Sequence, residues 1–144
     1  MADEIKMIDT TVDTLKQLRH GLLRVHKLLL ELERTGYERA RGRISNSYEF
    51  LQLVLKDPWF DWLHRLSELV VQIDETLDSI DSDTAVTEND ALALITRAKL
   101  LLAPSESGSE FQKNYFLALQ QSPDVVLLHS EVVRVLGDAK PKTN

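Results

Sequence analysis

The sequence predicts an all-α protein, an antiparallel helical bundle of four main elements plus one short corner helix. Three observations carry this expectation. Apolar residues recur at helical spacing along most of the chain, without strand-like alternation. Gly and Pro are scarce, five and four in 144 residues, and they mostly sit where elements end. Short polar residues precede several apolar runs, with Glu, Gln or Asp three positions on, as in a helix capping box.

The first helix is expected from about Asp9 to Arg41. Ile8, Leu15, Leu22 and Leu29 recur every seven residues, and Leu18, Val25 and Leu32 interleave. That 3.5-residue repeat is the pattern of a bundle or coiled-coil seam. Leu23, Leu30 and Tyr37 widen the stripe, while Gly36 and Gly42 weaken the last turns. A helix this long needs more than one neighbour, or a second copy of itself. A short second helix follows over Ser47 to Lys56, capped by Asn46 with Glu49 in the capping-box position.

Asp57-Pro58 restarts the chain, Asp as N-cap and Pro at the first helical position. The third helix is expected to run to about Ile80, with an apolar stripe of Trp59, Trp62, Leu63, Leu66, Leu69, Val70, Ile73, Leu77 and Ile80. Asp81-Ser82-Asp83 ends it. Thr87 with Asp90 caps a fourth helix that stops before Pro104, with Leu92, Ile95, Ala98 and Leu102 on one face. Ser109 with Gln112 opens a fifth, carrying Phe111, Tyr115, Phe116 and Leu119. Ser122-Pro123 breaks or kinks it. The final helix runs to Leu136, with Gly137 as its C-terminal stop. Pro58 and Pro123 precede Leu63-His64 and Leu128-His129 by the same spacing, too few matches for a repeat.

A single domain over residues 1–137 is expected, with a frayed polar tail at 138–144. The net charge of −6 and a pI near 5.2 disfavour nucleic acid as a partner. Cysteine is absent, which removes disulfides and thiolate chemistry and is compatible with a reducing, cytoplasmic setting. The N-terminus lacks the basic and apolar regions of a signal peptide, and no apolar run approaches the ~20 residues of a membrane-spanning helix.

The histidines are the principal candidates for chemistry, because bundles host ligands between facing helices. At ~100° per residue, His20 falls on the polar face of the first helix and reads as solvated. His26 lies at the edge of the apolar face, His129 amid Val125, Val132, Val133 and Leu136, and His64 beside Phe60 and Val71. One reading is an interior polar or ligand site of His26, His64 and His129 with Asp74. The other is that each is satisfied locally and fills space. The nearest approach to a di-iron motif is Asp61-x-x-His64, without a partner motif, and no His-x-x-x-His pair occurs. No metal and no cofactor is therefore expected.

Trp59, Phe60 and Trp62 form an aromatic group. On a helical projection Trp59 and Trp62 share a face and Phe60 points away. They read either as an interaction patch or as a packed corner against Phe50 and Leu51. Arg34, Arg39, Arg41 and Arg43 form the one basic cluster, suited to an anion or to a helix C-terminal dipole. No phosphate loop, dinucleotide fingerprint, nucleophile elbow or zinc-protease motif is present.

Leu22 to Leu30 fits an L-x-x-x-H-x-x-L-L helix, and Asp57 to Leu69 fits D-P-x-F-x-W-L-x-x-L-S-x-L. Together they resemble a small family of uncharacterised bacterial all-helical proteins, over about a sixth of the chain. The resemblance implies a bacterial cytoplasmic origin and a helical fold. It carries no activity and no site residues. The expectation is a non-enzymatic domain acting through a protein partner or a second copy of itself. The alternative is a small-molecule- or metal-binding bundle using the interior histidines.

Overall fold

The structure, a computed structural model, describes residues 2–81 and 86–138, with side chains at 9–80 and 86–137. It consists of α1 (Ala2–Arg41), α2 (Ser47–Lys56), a 3-10 segment (Pro58–Leu63), α3 (His64–Asp81), α4 (Glu88–Leu101), α5 (Glu110–Gln121) and α6 (Pro123–Asp138). Among the described residues there is no strand. No helix among them is long and apolar enough to cross a membrane.

The 40 residues of α1 span about 60 Å, so this helix packs in turn against the 3-10 segment, α3, α4 and α6. Its heptad positions Leu15, Leu18, Leu22, Val25 and Leu29 are all buried, and Leu32 is partly so. The helix begins earlier than Asp9. Ile8, the first heptad position, has its side chain outside the described set. Gly36 is accommodated within the helix. Gly42 ends it, with φ at 105° and its N–H donating to the Glu38 carbonyl at 3.0 Å. The Glu38 carboxylate then accepts from the Ile44 N–H at 2.9 Å and fixes the exit of the chain.

The expected third helix divides in two. The Asp57 carboxylate accepts from the Trp59 N–H at 2.9 Å, and the chain winds as a 3-10 turn before α3 starts at His64. Residues three apart eclipse on a 3-10 helix. Phe60 and Leu63 therefore point together into the core, at 0% and 1% exposure. Phe60 still points away from the face that Trp59 and Trp62 share, and it joins Leu63 in the core although the expected apolar stripe left it out.

Three caps match the residues singled out from sequence. Asn46 Oδ1 accepts from the Glu49 N–H at 2.8 Å, while the Glu49 carboxylate reaches the N–H of Ser45 rather than that of Asn46. Thr87 with Asp90 and Ser109 with Gln112 both form reciprocal boxes. The buried seam of α4 is Ala91, Leu94, Ile95 and Ala98, and Leu92 is exposed. Ser122 separates α5 from α6, and Pro123 occupies the first helical position, so the two are distinct helices. Val133 faces outward. Gly137 does not stop α6, which continues to Asp138; a Cβ there would meet nothing within 4 Å. The tail beyond Asp138, and the helix stop expected at Ser82-Asp83, lie outside the described residues.

Candidate functional site

Long-range pairs fix how α1 and α3 run. Arg19 meets Asp74 at 3.1 Å, His26 lies close enough to His64 to feel its charge, and Glu33 faces Trp59 and Trp62. The sequence numbers rise on one side and fall on the other, so the two elements run in opposite directions. A row of polar side chains follows their shared edge.

Three of the four candidate residues have their own partners. His64 Nε2 lies 2.9 Å from the Val54 carbonyl and so ties α2 to the start of α3. His26 is half-buried. Its pKa is lowered first by loss of solvent and then by the neighbouring His64. His129 Nδ1 lies 2.7 Å from the Tyr115 hydroxyl. Burial lowers the His129 pKa and raises that of Tyr115, so burial favours the neutral form of both partners of this hydrogen bond. Asp74 is held by Arg19, with both side chains well exposed. His20 is exposed, as its helical position implies. Among the described residues, no group of three or more His, Asp or Glu side chains is placed to hold a metal ion. His26 and His64 come together, while His129 and Asp74 are engaged by other partners.

The aromatic group is largely interior. Phe60 is fully buried, Trp62 is 6% exposed and Trp59 is half-buried, so the three do not make an exposed patch. Phe60 contacts Tyr37 and Phe50, and Trp59 meets Tyr37 edge-on at 5.7 Å. Trp62, Phe111, Tyr115 and His129 form a continuous row of rings with centroids 5.3 to 5.5 Å apart. That row ties the 3-10 segment to α5 and α6. The expected corner against α2 forms through Phe50, whereas Leu51 points to solvent.

The arginine cluster is divided between packing roles. Arg34 stacks over Phe50 at 4.8 Å and pairs with Glu38, while Arg41 stacks on Tyr37 and Trp59 and pairs with Asp57 at 3.6 Å. Arg39 and Arg43 are exposed.

Sequence reasoning missed Glu33. It lies seven residues beyond His26, on the edge of the apolar stripe, and that spacing was its signal. Trp59 and Trp62 eclipse on the 3-10 turn, and both indoles lie near enough to its carboxylate to influence its titration. Burial raises the Glu33 pKa, and the two indoles oppose that shift. Trp59 Nε1 is buried and makes no hydrogen bond of ordinary geometry. A second inward acid, Glu88, accepts from the Thr11 hydroxyl and joins α4 to α1.

The surface holds the other unmatched feature. α2 has no buried residue. Its inner side chains Phe50, Leu53 and Val54 are partly covered, while Tyr48, Leu51 and Leu55 stand 73%, 52% and 56% exposed. Comparison with protein families, curated proteins and solved structures finds no match to this chain.

Proposed function

We propose that this protein is a non-enzymatic helical domain that acts through protein contacts, beginning with association of two copies. The observation that carries the proposal is the outer face of α2. Tyr48, Leu51 and Leu55 are spaced i, i+3 and i+7, which places them on one stripe, and all three are exposed. An isolated surface leucine needs no explanation, whereas an apolar helical stripe reads as a docking face.

The ligand- or metal-binding alternative has less behind it. His64, His129 and Asp74 are accounted for by local partners, and His26 stands beside His64 alone among the four. The wider arrangement we infer is the antiparallel bundle of four main elements, with α2 as its corner and a bacterial cytoplasmic setting. Sedimentation velocity and native mass spectrometry at micromolar concentration test the reading. Wild type is expected as a dimer without bound mass, and Leu51→Glu as a monomer of unchanged helicity. A strictly monomeric wild type, or one carrying a metal or metabolite, overturns it.

A further inference from the structure

We infer that two copies pair through α2 in antiparallel fashion about a twofold axis, with Glu49 of each copy opposite Lys56 of the other. This rests on the self-association reading above and adds the surface, the direction and the charges that set it.

Beyond the apolar stripe, the argument uses the flank beside it. Glu49 and Lys56 are seven residues apart, so they share one side of α2. Together with Gln52 and Leu53 they line a shallow groove of about 340 Å³ that ends at Asp57-Pro58. One end of this flank is acidic and the other basic. In an antiparallel pair related by a twofold axis, equivalent flanks meet and N-terminal positions face C-terminal ones. Centred between Leu51 and Gln52, the pair leaves Glu49 and the opposing Lys56 offset by about 3 Å along the axis. Tyr48 then lies against Leu55, and Leu51 packs near its own symmetry mate. In a parallel pair about a twofold axis the two flanks fall on opposite sides of the seam, so Glu49 and Lys56 of one copy do not meet those of the other.

Both charges are available. One Glu49 oxygen accepts from the Ser45 N–H at 3.0 Å, which leaves the other open. Lys56 is exposed and forms no ion pair among the described residues, while the adjacent Asp57 is held by Arg41. Three side chains cover less than the ~800 Å² per partner of a standard interface, so the dimer belongs to the weak class.

Charge reversal gives a test that separates the two readings. Glu49→Lys makes both ends of the flank basic, and Lys56→Glu makes both acidic. Each variant alone is expected to weaken the dimer tenfold or more, on the scale of ~1.4 kcal/mol per decade. Mixed one to one, the two are expected to recover the wild-type midpoint as a heterodimer. Single-cysteine variants add a readout that does not depend on charge, because the chain has no cysteine of its own. Leu51→Cys is expected to cross-link to itself. Tyr48→Cys is expected to cross-link to Leu55→Cys and not to itself. If wild type dimerises but the mixture does not recover, or Tyr48→Cys couples to itself, the pairing falls and self-association stands. If wild type is monomeric, both fall.

Discussion

Gly21 of α1 lies against Val132 of α6, and this contact allows a quantitative test. A Cβ added there would lie 2.8 Å from Val132 Cγ2, against 3.4 Å or more in ordinary contact. About 0.6 Å must therefore be found, on the steep side of the van der Waals curve. Val132 is buried and β-branched, and one χ1 rotamer dominates for valine in a helix, so its methyl cannot swing aside. The helices must separate instead. Overpacking of this kind costs about 1–3 kcal/mol. Replacing an interior helical glycine by alanine gains about 1 kcal/mol of propensity. Gly21→Ala should thus be net destabilising by about 1 kcal/mol. Val132→Ala alone removes two buried methyl groups and costs about 2–3 kcal/mol. In that background the obstructing methyl is gone, and the Val132 Cβ lies at an ordinary 4.0 Å. There Gly21→Ala should stabilise by about 1 kcal/mol, giving a coupling of about 2 kcal/mol between two contacting sites. Urea unfolding of the four proteins, followed by circular dichroism, measures the cycle. Stabilisation by Gly21→Ala in both backgrounds would refute the argument, because propensity alone would then account for it.

Two further predictions concern the buried titratable groups. His26 and His129 titrate below the ordinary 6.5 when folded, so the unfolded chain takes up protons first. Stability should fall as pH drops through about 6.5 towards their folded values, and Tyr115→Phe should cost about 1 kcal/mol near neutrality through the lost hydrogen bond to His129. A urea midpoint that is flat from about pH 7.5 to 5.5 would contradict this. Glu33 has the opposite sign. Its folded pKa lies above 4.5, so the cost of its charged form is present at neutral pH and relieved as pH falls. Glu33→Gln should raise the urea midpoint at neutral pH and lose that advantage near pH 4.5, with a change in tryptophan emission. Equal destabilisation at both pH values would count against a desolvated carboxylate.

The sequence by itself determined the secondary structure closely. Asn46, Thr87 and Ser109 each place a hydrogen-bond acceptor where a helix has unpaired N–H groups, and these cap positions are local chemistry. The heptads of α1 gave the buried face for the same reason, since a 3.5-residue period admits one stripe. The exceptions share a cause. Phe60 was left out of the expected core stripe because a 3-10 turn eclipses it with Leu63, and nothing in the residue types distinguishes that turn from an α-helix starting at Pro58. Gly42, not Gly137, adopts the left-handed conformation, because only at Gly42 must the chain leave its helix towards a buried Ile44.

Partners across the fold were decided by tertiary structure alone. Which acid meets Trp59 and Trp62, which hydroxyl satisfies His129, and which arginine faces Asp74 depend on how far each helix slides along α1. Hydrophobic burial fixes that slide collectively, through interdigitating side chains from residues distant in sequence. Leu51 was expected in the corner beside Phe50, and only the packing of α2 on the 3-10 segment through Phe50 left it facing solvent with Tyr48 and Leu55. The physical reason is that a period specifies a face, whereas burial specifies which face wins.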